Sequence, residues 1–184
     1  MVVAESQNFF VFPSLGQLVE GYLLICSQEH FLGLSQIHEE HFQELENVKE
    51  SVRQLLSREY REPIFFEHGC IEETKKAGCC VAHAHLHAIP LETDILPYIQ
   101  KNFHGRKINS LYELRQQKGS LGYFYYENQR KEQYIFELNE RVPSQYLRQV
   151  IAAQVGVPEN WDWRAFPFRD KVLRTYDRLR GKIA

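Results

Sequence analysis

The stretch Gly78-Cys79-Cys80-Val81-Ala82-His83-Ala84-His85-Leu86-His87-Ala88-Ile89-Pro90 decides how this chain is read, because three of its eight histidines stand there on alternate positions. Successive side chains of a β-strand point to opposite faces, so His83, His85 and His87 would share one face and Ala84, Leu86 and Ala88 the other. A helix would spread the three imidazoles over most of its circumference. Each imidazole needs hydrogen-bond partners or solvent, so the histidine face is not a hydrophobic core face. The spacing predicts a strand with one apolar side and one side that forms a site.

The rest of the chain is read as support for that strand. Its 184 residues, 43% hydrophobic and 13% aromatic, suffice for one domain with a normal core, or one domain with a substantial extension. The formal charge of −2 says nothing by itself about a nucleic-acid partner. Charge is uneven, however: residues 139–184 hold nine Arg and Lys against five Asp and Glu, or +4, which leaves −6 on residues 1–138. No apolar run approaches membrane-spanning length and no basic-then-apolar leader opens the chain, so a soluble, cytoplasmic protein without a membrane partner is expected. Cys26, Cys70, Cys79 and Cys80 contain no C-x-x-C pair. Reduced thiols are the expectation.

Residues 8–12 and 21–26 read as two strands joined by a short turn at Ser14–Gly16, hence antiparallel. From Ser35 to about Tyr60, apolar residues recur every three to four positions among Glu, Lys and Arg, which predicts one long helix. Residues 64–68 give the next strand, followed by a polar loop over 69–78 and then the histidine strand. After Pro90 come a short helix interrupted at Pro97, a helical segment over 110–118, and two β-rich runs at 121–126 and 133–138 that make a hairpin. A helix over 145–155 with Ser144 as N-cap and a last helix over 170–179 close the chain.

Two chemistries use His-x-His on a strand. Imidazoles can bind zinc, completed here by Cys79 or Cys80. Alternatively, one neutral imidazole attacks phosphorus while its other nitrogen is held by a backbone carbonyl, and neighbouring imidazoles stabilise the charge that develops. Spacing alone does not separate the two.

The surroundings do. His83-Ala-His85-Leu-His87-Ala-Ile resembles the histidine triad (HIT) signature, His-φ-His-φ-His-φ-φ, and follows strand, strand, helix and strand in the expected order. Asn8–Pro13 and Gly21–His30 look like that family's N-terminal hairpin, so the resemblance covers about residues 5–100. It implies hydrolysis or transfer at the α-phosphorus of a nucleotide through a covalent nucleotidyl-histidine, with His85 as nucleophile. His87 would contact phosphate and help the leaving group, and His83 would orient the network. Cys80 stands where the family usually has Ser or Thr near the phosphate, and Ser14 where a ribose-binding Asp or Asn is common. Glu67 stands where Asn or Gln often donates to phosphate, so its carboxyl must be protonated, turned away or paired with His68. Tyr22 replaces a histidine that supports the triad. His68 reaches the site from the adjacent strand or pairs with Glu67, whereas His30 reads as a packing or helix-entry residue.

The expected architecture is α+β: a HIT-like antiparallel sheet with one long helix over residues 1–104, and a C-terminal α/β extension over 105–184 packed on that core. Val142–Arg148 and Trp161–Arg164 look similar to C-terminal extensions of HIT-like proteins of the CwfJ group. There Gln145, Arg148 and Arg164 are read as packing and pairing residues ahead of phosphate contacts. The expected function is a nucleotide hydrolase or nucleotidyl transferase acting on dinucleoside polyphosphates or nucleoside monophosphate conjugates. No cofactor or metal is required, with Mg²⁺ only as companion of a polyphosphate. A homodimer is the family default. The alternative is a catalytically weak nucleotide- or RNA-binding module; the +4 charge suits a polyanion, but no RNA-binding signature accompanies it.

Overall fold

Short runs of β-branched and aromatic residues between turns give eight strands among the described residues, and all eight join one sheet. In the computed structural model, which describes residues 1–73 and 83–183, the chain opens with β1 (Ala4–Glu5), β2 (Phe9–Pro13) and β3 (Leu23–Ser27). Two 3-10 turns, Leu34–Gln36 and Glu39–His41, lead into the 18-residue helix α1 (Phe42–Glu59). Then come β4 (Pro63–Gly69), β5 (His85–Pro90), the short α2 (Leu96–Gln100) and β6 (Gly105–Ile108). A 3-10 segment over Leu111–Gln116 precedes β7 (Gly122–Glu127), β8 (Gln133–Leu138), α3 (Tyr146–Gln154) and α4 (Arg169–Leu179). The spatial order is β1-β2-β3-β5-β4-β7-β8-β6, with every neighbouring pair antiparallel. This is the α+β antiparallel architecture that the sequence predicts. Among the described residues no helix is long and apolar enough to cross a membrane.

The period of two sorts residues between two layers. On one side of the sheet Leu23, Ile25, Phe65, Leu86, Ala88, Tyr123 and Tyr125 pack under the apolar stripe of α1 (Leu45, Val52, Leu55, Leu56). On the other, Phe66, Phe124, Tyr126 and Phe136 pack under α2 and α3 through Ile99, Leu147 and Ile151. Leu86 and Ala88 anchor the histidine strand in the first layer, which leaves His85 and His87 facing the second.

A buried charge cluster ties α1 to the sheet. Glu127 at the end of β7 receives Lys49 at 2.8 Å, the Tyr125 hydroxyl at 2.6 Å and the Arg53 guanidinium. Both cations come from α1 one turn apart, and all three side chains are 5% exposed or less. Removing one partner of such a cluster leaves buried charge uncompensated. Glu127→Ala should therefore lower the unfolding free energy by about 3–5 kcal/mol, read as an earlier urea midpoint with an unchanged slope.

The helix expected from Ser35 starts at Phe42, seven residues later. The chain is extended at Ile37 (ψ 154°) and His38 (ψ 146°), between the two 3-10 turns, so no continuous helix runs from Ser35; the Leu34 N–H donates to Glu67 and the Ser35 N–H to the Tyr123 hydroxyl, both at 2.9 Å. Pro97 sits in the first turn of α2 instead of interrupting a helix, as suits a residue without an N–H. The helical segment expected over 110–118 is a 3-10 run that buries Leu111 and Leu114. Gln145, in the left-handed region at φ 54°, precedes α3 in place of the expected Ser144 cap. Cys70 is disulfide-bonded, against the expectation of four reduced thiols, and Cys26 is free.

Candidate functional site

β5 is held between β3 and β4, with Cys26 opposite His85, and Leu24 and Phe66 on either side of His87. Because the histidine face lies inside the sheet, its imidazoles are fixed by their neighbours. The His85 Nδ1 lies 2.6 Å from the carbonyl oxygen of His83. A carbonyl only accepts, so Nδ1 carries the hydrogen and Nε2 keeps its lone pair. Burial and then the neighbouring His83 hold the His85 pKa below that of a free imidazole, against the opposing hydrogen bond to the carbonyl. At neutral pH the ring is uncharged and oriented, with the Nε2 lone pair free of a proton.

His83 turns the other way. Its Nε2 lies 2.7 Å from the Ser27 carbonyl, and its Nδ1 lies 3.2 Å from Nδ1 of His30. Both nitrogens of His83 are thus engaged. His30, expected to be a packing residue, instead pairs with the triad. His87 stacks on Phe66 (centroids 4.3 Å apart, planes 8° apart), meets His85 edge-on at 4.7 Å, and places Nδ1 2.6 Å from the Tyr22 hydroxyl. Burial, then His85, Arg148 and His68, hold its pKa well below the ordinary value.

These rings line one wall of a cleft of about 740 Å³. Phe10, Phe12 and Leu24 extend the same sheet face, and Leu147, Trp163 and Arg164 close the cleft from the C-terminal segment. Ser14 lies at this cleft as expected, although its hydroxyl donates to the Leu15 carbonyl at 2.8 Å. His68 also lines it, edge-on to Phe124 at 4.9 Å, with its pKa lowered to about 4 by burial and by His85. Cys80, and Cys79 of the zinc reading, lie outside the described residues.

Glu67 corrects the sequence reading. Strand alternation puts it on the opposite face from His68 and the cleft, so it neither pairs with His68 nor meets substrate. Its carboxylate accepts the Leu34 N–H and the Tyr123 hydroxyl beneath the sheet. Of the three possibilities for this carboxyl, it is turned away. Burial raises its pKa from 4.5 to about 7, opposed by the hydrogen bonds from Tyr123 and from the Leu34 and His85 backbones. A raised carboxyl pKa contributes stability that is full below pH 4.5 and lost as pH rises to about 7. Unfolding free energy should fall with pH across that window, and Glu67→Gln should flatten the slope; an unchanged slope in chemical denaturation would contradict the assignment.

The model described as "Protein similar to CwfJ C-terminal" matches residues 1–104, more than half of the chain, including all three triad histidines. The chain belongs to this CwfJ C-terminal-like family. The CwfJ-like chain is 25% identical over 182 residues to zinc finger CCCH domain-containing protein 64 of Arabidopsis thaliana. That alignment covers 89% of this chain but 29% of the plant protein, so the chain spans under a third of that relative's length. Among solved structures it is similar to a hypothetical histidine triad nucleotide-binding protein from Sulfolobus tokodaii (27% identity, TM-score 0.42, 62% of this chain and 77% of that one). It is also similar to a Hit-like protein involved in cell-cycle regulation from Bartonella henselae (15% identity, TM-score 0.41, 63% and 84%).

Several contributors to the CwfJ-like site escaped the sequence reading. Phe66 was one apolar residue of a strand, and Ser27 acts through its backbone, which no side-chain pattern reveals. Arg148 was weighed as a phosphate contact or a packing residue. It donates to the carbonyls of Gly16 at 2.8 Å and Trp161 at 2.9 Å, with its guanidinium 5.4 Å from the Tyr22 ring centre. Gln145 is paired, its Nε2 donating to Asp162 at 3.1 Å, and Arg164 stacks on Trp163.

Proposed function

We propose that the cleft carries out nucleotidyl transfer: hydrolysis or transfer at the α-phosphorus of a nucleotide through a nucleotidyl-His85 intermediate. The single observation that carries this reading is the 2.6 Å hydrogen bond from His85 Nδ1 to the His83 carbonyl, which leaves Nε2 unprotonated on a ring kept neutral by burial. In the first step the Nε2 lone pair forms an N–P bond as the bond from phosphorus to the leaving group breaks. His87, beside it at 4.7 Å, acts on the phosphoryl oxygens and the leaving atom. In the second step water attacks phosphorus, the N–P bond breaks, and His85 recovers its lone pair with release of a nucleoside monophosphate.

The apolar sheet face of Phe10, Phe12 and Leu24 beside Ser14 suits a base and ribose lying across the sheet, with the α-phosphate over His85. Dinucleoside polyphosphates and nucleoside monophosphate conjugates are the candidate substrates. Attack by a neutral imidazole needs no metal, and Mg²⁺ would enter only as the counterion of a polyphosphate. A second copy of the chain is the proposed partner.

The test is turnover of a panel (diadenosine polyphosphates, adenosine phosphoramidate, capped RNA) by wild type and His85→Ala in parallel. Wild type should turn over at least one member, His85→Ala should lose about 10³-fold or more, and acid-labile label should be trapped on His85. Equal rates for both proteins would refute the reading. Nucleotide binding without turnover would make the chain a binding module instead.

A further inference from the structure

His87 is the one triad imidazole whose tautomer no backbone carbonyl dictates. Its Nδ1 faces the Tyr22 hydroxyl at 2.6 Å, a pair whose hydrogen can run either way. The phenol proton decides the direction. The Tyr22 hydroxyl has His87 Nδ1 as its hydrogen-bond partner among the described residues, while the Arg148 guanidinium, held by the Gly16 and Trp161 carbonyls, lies 5.4 Å from the centre of the Tyr22 ring. Tyr22 is fully buried, and burial raises its pKa, so the phenol keeps its proton. That proton would be left without an acceptor unless His87 Nδ1 takes it, and a buried donor without an acceptor is costly.

We propose that Tyr22, with the Arg148 guanidinium packed against its ring, locks His87 as a neutral imidazole whose Nε2–H donates into the cleft, beside the His85 Nε2 lone pair. The site would then present a nucleophile and a hydrogen-bond donor from adjacent rings, both uncharged. Its use in phosphoryl transfer rests on the function proposed above; the tautomer itself does not. The groups around His87 agree with an uncharged ring: His85 edge-on, His68 on β4, Arg148 from α3, Tyr22 from the N-terminal hairpin, and the Phe66 face stacked beneath it.

The lock draws α3 into the site. Arg148 is 4% exposed and pinned by the Gly16 and Trp161 carbonyls, so its guanidinium is oriented before any ligand arrives. Gly16, at φ +69°, permits the approach: a Cβ there would fall 2.5 Å from the Arg148 guanidinium and 2.6 Å from the Trp163 Cβ. Arg148 and Tyr22 are positioning residues, acting on the reacting atoms through His87.

The experiment is a long-range ¹H–¹⁵N spectrum of the 184-residue chain with labelled histidine at pH 7, with His87 assigned by His87→Gln. The expected result is His87 with a bare Nδ1 and a protonated Nε2. Tyr22→Phe should shift His87 to a mixture of tautomers, and Arg148→Gln should raise its titration midpoint, since a nearby positive charge is removed. A protonated Nδ1 in wild type, or a Tyr22→Phe spectrum identical to wild type at His87, would overturn the proposal. On any substrate that is turned over, Tyr22→Phe should cost about tenfold in kcat, more than in KM. An inactive wild type with the expected tautomer would refute the reaction and keep the lock. An active wild type with the opposite tautomer would do the reverse.

Discussion

One hydrogen bond at the start of a strand sets the polarity of this site: the Nδ1–H of His85 on the carbonyl of the residue two positions before it. It requires the chain at His83 to be outside the regular ladder, because a carbonyl inside the ladder would be aimed at a neighbouring strand. The surrounding structure meets that requirement. β5 begins at His85, the Ala84 N–H is taken by Phe31, and the Ala84 carbonyl receives the Ser27 N–H. The Ser27 carbonyl then fixes the His83 ring. Residues at the exit of β3, the strand next to β5 in the sheet, therefore determine how the His85 ring is presented.

The fold was readable where side-chain periodicity is simple. The alternation of His85 and His87 against Leu86 and Ala88 gives the two faces of β5, with His83 standing just before the strand, and the stripe of α1 and the 121–138 hairpin are legible from their own periods. What was not readable depends on backbone groups claimed by distant partners. Ser35 reads as the start of the long helix, but its N–H donates to the Tyr123 hydroxyl and the chain is extended at Ile37 and His38, which no local pattern announces. The motif position of Glu67 leaves its carboxyl protonated, turned away or paired with His68, and strand parity turns it away beneath the sheet. β6, with Gly105, Arg106 and Lys107 exposed and Ile108 buried, has too little alternation to be recognised as a strand.

The C-terminal residues do more to the N-terminal hairpin than cover it. The loop between β2 and β3 is held from several directions: the Gly16 N–H by the Pro167 carbonyl at 3.0 Å, the Gly21 N–H by Thr175 at 3.0 Å, and the Gln17 amide by the same Thr175 hydroxyl. Gln17 in turn binds the carbonyls of Ser14 and Tyr22. Ser14, which lines the cleft, and Tyr22, which holds His87, are thus positioned by chain more than 120 residues later. Residue 104 marks where the matched family region stops; the sheet itself continues through β7, β8 and β6.

The strand order also governs how this molecule meets others. β4, the most apolar strand beside the triad, has β5 on one side and β7 on the other, so it has no free edge. The margins of the sheet are β1, two residues long, and β6, which turns Arg106 and Lys107 to solvent. A short strand and a cationic one are poor templates for strand addition. Backbone pairing with another chain is therefore disfavoured at both margins of the sheet.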